Sequence, residues 1–481
     1  MINATVINWA AFQSVLPEIF LVCIGLILIL IDVFSSKQNE LLPWLTVLGG
    51  ITTLGLVLGE HSTLAFNGMF ITDTYAVFFK VICLLALIMA ALMSEHYHRI
   101  AGYNHGEHYS LMVFSVVGMM IMASANDLMV LYLGLELMAL SVYCLVGMNK
   151  NDPRASEAAI KYFLMGGFAS AILLYGMSLL YGMTGTTNLM KIASYSATNG
   201  LLGNPALAGA LGLIIAAFCF KVAVAPFHFW TPDVYDGAPT VVTAFMSVGP
   251  KAAGFAVFGR VLFISFPEFH GSWGTLLAAL ALLTMAIGNI TALTQTNIKR
   301  MLAYSAIAHA GYSLLGIVSG TPEGISATMS YLLIYGFMNM GAFAILILLA
   351  SKGNRHDELS DYKGLAKKHP LAAVMMLVFM FSLTGIPPMA GFMGKFYLLK
   401  AALAAGFTKT VILAVVFSAI SAYFYLRVVR YMYMDEAETE LTFSYTPGIS
   451  AVLGLAMLGV IGLGLFPGTI IGQAASVLLG H

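Results

Sequence analysis

Four charged residues stand inside long apolar runs of this 481-residue chain: Glu136, Lys221, Lys251 and Lys395. One carboxylate and three amines are groups that handle protons. Each takes or gives a proton without metal or redox help, and a neighbouring charge or a change of hydration shifts its balance. Lys221 is the most pointed of them. It follows the uncharged run from Ala206 to Phe220, and Pro226 comes soon after, lacking the amide hydrogen that would bond the carbonyl of Val222. A helix here is broken or kinked beside an ammonium, and both the charge and the freed carbonyl are costly in hydrocarbon. They become tolerable where the helix faces a wet interior, as in transporters that build ion sites from interrupted helices.

The other three repeat the theme. Glu136 lies well inside a helix expected to begin near Asp127, and reads either as a structural ion-pair partner or as part of a relay. Its natural partner is Lys221 or Lys161. Lys251 follows Gly249 and Pro250, which loosen the backbone; the alternative is a lysine snorkelling to an interface. Lys395 follows a second break, where Pro387 and Pro388 free the carbonyls of Leu383 and Thr384 and Gly391 and Gly394 come just before it.

Accessory candidates are Lys161, His228 and His309. Glu157 and Lys161 are spaced i, i+4 and can simply pair on a helix face. The two histidines can relay protons near neutral pH, or serve only as hydrogen-bonded groups. Lys80 reads as a lone charge that faces a partner subunit or snorkels, and Arg260 as a structural residue near the end of its span. Taken along the chain, Glu136, Lys221, Lys251 and Lys395 form a series suited to lateral proton transfer inside the membrane.

Such a series needs helices around it, and the composition supplies them. Hydrophobic residues make up 60% of the chain and charged ones 9%, with a mean hydropathy of +0.90; soluble domains carry about a quarter charged residues. This is an all-α polytopic membrane protein. Apolar runs long enough to span are expected at 13–34, 42–58, 74–94, 109–124, 127–148, 155–182, 206–229, 241–265, 272–294, 297–319, 324–350, 370–399, 409–434 and 449–471, about fourteen in all. The chain is one membrane domain: an N-terminal three-helix segment (1–108), two five-helix blocks (109–265 and 272–434) and a C-terminal helix (435–481). Each block carries an interrupted helix in its fourth place. An odd number of spans makes the second block an inverted copy of the first, an arrangement that points to transport.

With both termini on one side, thirteen Lys and Arg residues, from Lys37 to Arg430, fall at the opposite face, against Lys191, Lys400 and Lys409 at the face of the termini. The positive-inside rule then puts both termini outside the cytoplasm. The apolar N-terminus lacks a preceding basic region and reads as a retained first span.

Other chemistry is not indicated. Cys23, Cys83, Cys144 and Cys219 are isolated, with no zinc, haem or iron–sulfur spacing. Nothing resembles a calcium site, a nucleophilic triad, a phosphate loop or a nucleotide motif. The zero formal net charge gives no sign of a nucleic-acid partner.

Three segments carry a family likeness: Phe220 to Pro239 (FKVAVAPFHFWTPDVYDGAP), Gln295 to Ser305 (QTNIKRMLAYS) with Ala308 to Tyr312 (AHAGY), and Gly391 to Tyr397 (GFMGKFY). They resemble the antiporter-like subunits of respiratory complex I, the proton-translocating NADH:quinone oxidoreductase, and the likeness extends over essentially the whole chain. By that resemblance Glu136 matches the carboxylate of the fifth helix and Lys221 its partner on the broken seventh. Lys251 matches the connecting lysine of the eighth. Lys395 matches the terminal group of the broken twelfth, a glutamate in one sister subunit. Lys161 and His228 fall on contributory positions, and no family role carries over to Lys80.

The resemblance implies that NADH, FMN, iron–sulfur clusters and quinone belong to partner subunits, with no cofactor in this chain. It also implies a lateral surface for further antiporter-like membrane subunits, and a bacterial inner membrane. The short tail ending at His481 is similar to members without a long lateral helix. Two readings compete with proton translocation driven by quinone reduction: a subunit of a multi-subunit cation/proton antiporter, and a non-transporting scaffold of the same complex.

Overall fold

A computed structural model describes residues 9–34, 40–101, 106–200, 204–350, 356–436 and 445–468. Lys37, Lys352 and Arg355, which entered the charge asymmetry, lie outside the described residues. The chain opens with α1 (Trp9–Gln13), α2 (Leu16–Phe34) and α3 (Leu41–Leu58). A small hairpin of β1 (Thr63–Ala65) and β2 (Phe70–Thr72) leads to α4 (Thr74–Ala101). Then come α5 (Glu107–Ser124), α6 (Leu128–Val146), α7 (Pro153–Thr184), α8 (Leu189–Asn199), α9 (Pro205–Lys221), α10 (Trp230–Gly237) and α11 (Thr240–Ser265). The remainder is α12 (His270–Thr294), α13 (Ile298–Val318), α14 (Pro322–Leu349), α15 (Leu365–Lys368), α16 (Pro370–Thr384), α17 (Ala390–Ala404), α18 (Thr408–Met434) and α19 (Pro447–Leu465).

Among the described residues twelve helices are long and apolar enough to cross a membrane, and α9 and α16 are shorter apolar helices. In hydrocarbon a helix is favoured because it satisfies its own backbone, and polar residues mark where several of these begin. Asp127, Asp152, Asn188, Asn204, Asn297, Thr321 and Thr446 accept hydrogen bonds from the first amides of α6, α7, α8, α9, α13, α14 and α19. Proline occupies the first helical turn of α7, α9, α14 and α19, where its missing amide is not needed. The interior is built by α11, α13 and α14, whereas α2, α7, α18 and α19 turn apolar side chains outward, as helices facing lipid do.

Glycines allow the closest approaches. Gly118 of α5 packs on the backbone of α6 at Gly134 and Met138, and Gly288 of α12 packs on α13 at Tyr304 and Ala308 in the same manner. Other bonds recur between the blocks. Leu128 N donates to Thr187 O and Leu189 N to Asn126 O; in the second block Ile298 N donates to Asp357 O and Leu359 N to Thr296 O.

The expected span at 206–229 is α9 followed by an irregular turn and the short α10. The expected span at 370–399 is likewise two helices, α16 and α17, because the prolines stop the hydrogen-bond ladder. The two breaks have the same hydrogen-bond plan. Val224 N reaches Cys219 O and Phe227 N reaches Val224 O; Ile386 N reaches Phe381 O and Met389 N reaches Ile386 O. Gly385, with φ of 91°, supplies a left-handed residue at the second break. The hairpin and the amphipathic α8 were not anticipated by hydropathy, since neither contains a spanning apolar run.

Two further corrections concern charges. Lys80 is not a lone or snorkelling residue: its side chain is fully buried and paired with Glu18 and Glu60 of this chain. Lys299, counted above as a loop-side charge, is buried and donates to the carbonyls of Asp236 and Ala238 at the end of α10. Its cation there offsets the partial negative charge of that helix terminus. Arg260 is structural as expected, held between Asp73 and the carbonyl of Ala123.

Candidate functional site

Lys395 is the best-defined member of the series. It sits in the second turn of α17 with its Nζ 3.0 Å from the Leu383 carbonyl, 2.9 Å from the Thr384 carbonyl and 3.2 Å from Ser418 Oγ. These are the two carbonyls that the proline pair leaves without helical donors. The break therefore makes an acceptor nest, and the lysine fills it. The Tyr312 ring lies 4.9 Å from the ammonium, adding a cation–π contact. A Cβ on Gly391 would overlap the Ser382 carbonyl, and one on Gly394 would press on Tyr331. The two glycines thus let α17 come close enough for Lys395 to reach back to α16.

Lys251 is buried within α11 and does not snorkel. Its Nζ donates to the carbonyl of Ala306 at 2.6 Å, with the Tyr335 ring 5.5 Å away. Between the two lysines stands His309 of α13, close enough to feel both charges. Its Nδ1 meets the Tyr331 hydroxyl, and its Nε2 lies 3.0 Å from that of Tyr425, which in turn meets Ser305. His309 is thus bonded into a buried set of hydroxyls on α13, α14 and α18, with Lys251 and Lys395 nearby on bonds of their own. The tyrosines 312, 331, 335 and 425 escaped the sequence reading because Tyr is common in apolar segments. The i, i+4 spacing of Tyr331 and Tyr335, which puts two phenols on one face of an otherwise apolar helix, was the available signal.

The first half is more open. Lys221 ends α9 and is buried, 6.0 Å from the Phe220 ring. Glu136 of α6 lies on a stripe with the exposed Met129, Leu133 and Leu140, and its carboxylate accepts from Ser170 of α7. Glu136 and Lys221 interact electrostatically but form no direct ion pair. Lys161 does not pair with Glu136. It lies at the start of α7, bonded to Glu157 at 2.8 Å and to Asp233 at 2.9 Å. Asp233 also meets Arg300 at 3.1 Å, an ionic link from α10 to α13 that the sequence reading missed. His228 lies buried in the first break, its ring stacked on Phe229 and its Nδ1 without a hydrogen bond. The break is closed by Trp230, whose indole N–H donates to the Phe220 carbonyl at 3.0 Å.

Chemically, the arrangement offers buried amines, two of them at backbone breaks, and a hydrogen-bonded histidine–hydroxyl set among them. Among the described residues no cluster of His, Cys, Asp and Glu could hold a metal ion.

Residues 125–422 match the family described as NADH:quinone oxidoreductase/Mrp antiporter, TM. The chain is 50% identical to NADH-quinone oxidoreductase subunit N of Desulfovibrio desulfuricans over 95% of each sequence. It is 46% identical to NADH-quinone oxidoreductase subunit N 2 of Rhizobium meliloti over 97% of each. Among solved structures it resembles a chain of respiratory complex I from Thermus thermophilus with bound aureothin. The TM-score is 0.81 and the identity 35%, covering 95% of this chain and 99% of that one. A chain of the Mrp complex from Dietzia sp. shares the fold, with a TM-score of 0.80 at 23% identity, covering 97% of each chain.

Proposed function

This chain belongs to the NADH:quinone oxidoreductase/Mrp antiporter membrane family, and from that premise we propose that it moves protons as a membrane subunit of a bacterial NADH:quinone oxidoreductase. Glu136, Lys221, Lys251 and Lys395 are the groups that carry the proton, with His309 and its tyrosines between the last two. Lys161 and His228 flank the first break. Quinone reduction in partner subunits, which hold the flavin, the iron–sulfur clusters and the NADH site, changes the field or hydration along the series. The outward stripe around Glu136 meets a neighbouring antiporter-like subunit. The chain lies in the inner membrane with both termini on the outer side.

The observation that carries this reading is the seating of Lys395. A buried ammonium bound by carbonyls and a hydroxyl at a helix break, with no carboxylate among these partners, is the kind of ion site that transporters build from interrupted helices. The test is Lys395→Ala and Lys221→Ala in membranes containing the assembled complex, with electron transfer and proton pumping recorded together. Protons moved per electron are expected to fall while the complex still assembles. Full pumping in both variants would sink the reading. Sodium-dependent exchange without a redox substrate would favour the antiporter reading instead.

A further inference from the structure

A second group of titratable residues lies apart from this series, among the N-terminal helices. Lys80 of α4 places its Nζ 2.8 Å from Glu18 Oε1 and 3.0 Å from both carboxylate oxygens of Glu60. Glu18 belongs to the first turn of α2, and Glu60 lies just beyond the end of α3. The side chains of Lys80, Glu18 and Glu60 are 0%, 6% and 5% exposed, and the Phe70 ring covers the ammonium at 5.4 Å. Two carboxylates thus share one ammonium, and with all three groups ionised the triad carries one uncompensated negative charge in apolar surroundings. Two carboxylates at one site resist joint ionisation, so that one of them keeps its proton.

Their side chains are almost equally buried, and it is a neighbouring cavity that distinguishes the two. A cavity of about 430 Å³ lies beside the triad, lined by Ser14, Gly59, Glu60, His61, Thr63 and Thr72 among others. Glu60 forms part of its wall, whereas Glu18 and Lys80 stand behind. Glu18 Oε2 is buried and makes no hydrogen bond, so the inner carboxylate depends on Lys80 alone. Burial pushes the Glu60 carboxyl up from 4.5 to about 7; Lys80 opposes that rise and Glu18 adds to it. Among the described residues the cavity wall carries one further ionisable group, His61, and Asp73, which follows the wall residue Thr72, is taken up by Arg260.

We infer that Glu60 is a proton-binding site, taking one proton from the water of the cavity to become a carboxylic acid and leaving Lys80 paired with Glu18. The O–H bond formed on a Glu60 carboxylate oxygen replaces an O–H bond of hydronium in the cavity water, and the oxygen that takes the proton gives up the hydrogen bond it accepts from Lys80. The site is separate from the membrane-depth series. The triad is closed on itself, Lys80 bonding Glu18 and Glu60, while one turn further along α4 Cys83 meets the Gly249 carbonyl of α11. On the orientation proposed above, the cavity opens at the outer face, where the site buffers protons.

Infrared difference spectra of the assembled complex, taken while pH is stepped without substrate, test this. A protonated-carboxyl band, present in the wild type and missing in Glu60→Gln, is expected to disappear with a midpoint near 7. Glu18→Gln, which leaves Lys80 and Glu60 in place, is expected to lower that midpoint, and replacing choline by sodium at equal ionic strength is expected to leave it alone. Absence of a Glu60 band between about pH 5 and 8 overturns the inference. So does an unmoved midpoint in Glu18→Gln. A midpoint that falls with sodium overturns it too, by showing a metal-cation site. The readout involves no quinone reduction, so it stands or falls apart from the pumping measurement.

Discussion

An ammonium buried among helices must have its donors occupied, and this chain shows two solutions. Lys395 uses carbonyls freed by a broken helix, and Lys80 uses two carboxylates. The first leaves a positive charge with neutral partners, and the second leaves a surplus negative charge that falls on Glu60. The sign of the resulting pH dependence is fixed. Glu60 has a folded value near 7 against 4.5 when exposed, so the folded chain holds a proton that the unfolded chain releases earlier. Below about 4.5 both states carry it; between there and 7 stability falls as pH rises, and above 7 the loss is constant. Glu60→Gln removes this dependence. The margin between its apparent melting temperature and that of the wild type, in the solubilised complex, is expected to move in favour of the variant from about pH 5 to 8; a constant margin would count against the assignment. The mid-span charges were legible in the sequence because an ionisable group in an apolar run is conspicuous. Their partners were not: Lys161 finds Asp233, 72 positions away, and Lys80 finds Glu60 on the preceding helix connection, pairings that only tertiary packing sets.

At the scale of elements, each break is bridged by a side chain from the helix that follows: Trp230 reaches the Phe220 carbonyl, which also accepts from Ala223 N, and Lys395 takes the freed carbonyls of Leu383 and Thr384. The prolines announced both breaks, but not the bridge. The two bridges differ in chemistry, a neutral indole in one block and an ammonium in the other, although the backbone bonds around them correspond. Trp230→Phe keeps the stacking on Tyr162, whose ring lies 4.5 Å away, and removes only the donor. It is expected to lower stability by about 0.5–1.5 kcal/mol, the net worth of one hydrogen bond, because the Phe220 carbonyl keeps its bond from Ala223 N. Lys221, one residue beyond the affected carbonyl, is expected to lose its fixed position, lowering protons pumped per electron without blocking quinone reduction. Wild-type stability and pumping in this variant would show that the indole bond does not hold the break.

For the molecule as a whole, orientation decides what each opening faces. Hydropathy located the long apolar helices, because a run of apolar residues in lipid has little choice but helix. It could not distinguish a basic residue at a membrane face from one folded inward. Lys299 is the instance: it weighed in the charge asymmetry, yet it is buried on the end of α10. The asymmetry is better tested on exposed positions, namely Lys191 and Lys400 on one side and Lys150 and Lys367 on the other. Each is replaced by cysteine in turn and labelled in intact cells with a membrane-impermeant maleimide. The native cysteines give little background: Cys83 and Cys219 are buried, and Cys23 and Cys144 sit on apolar helix faces that a charged, water-borne reagent does not enter. Lys191→Cys and Lys400→Cys are expected to label from outside, with Lys150→Cys and Lys367→Cys labelling only after permeabilisation. The reverse pattern would turn the Glu60 cavity toward the cytoplasm, making Glu60 a group that collects protons at the supply side, and would place the Lys161–Asp233–Arg300 link on the face where protons leave.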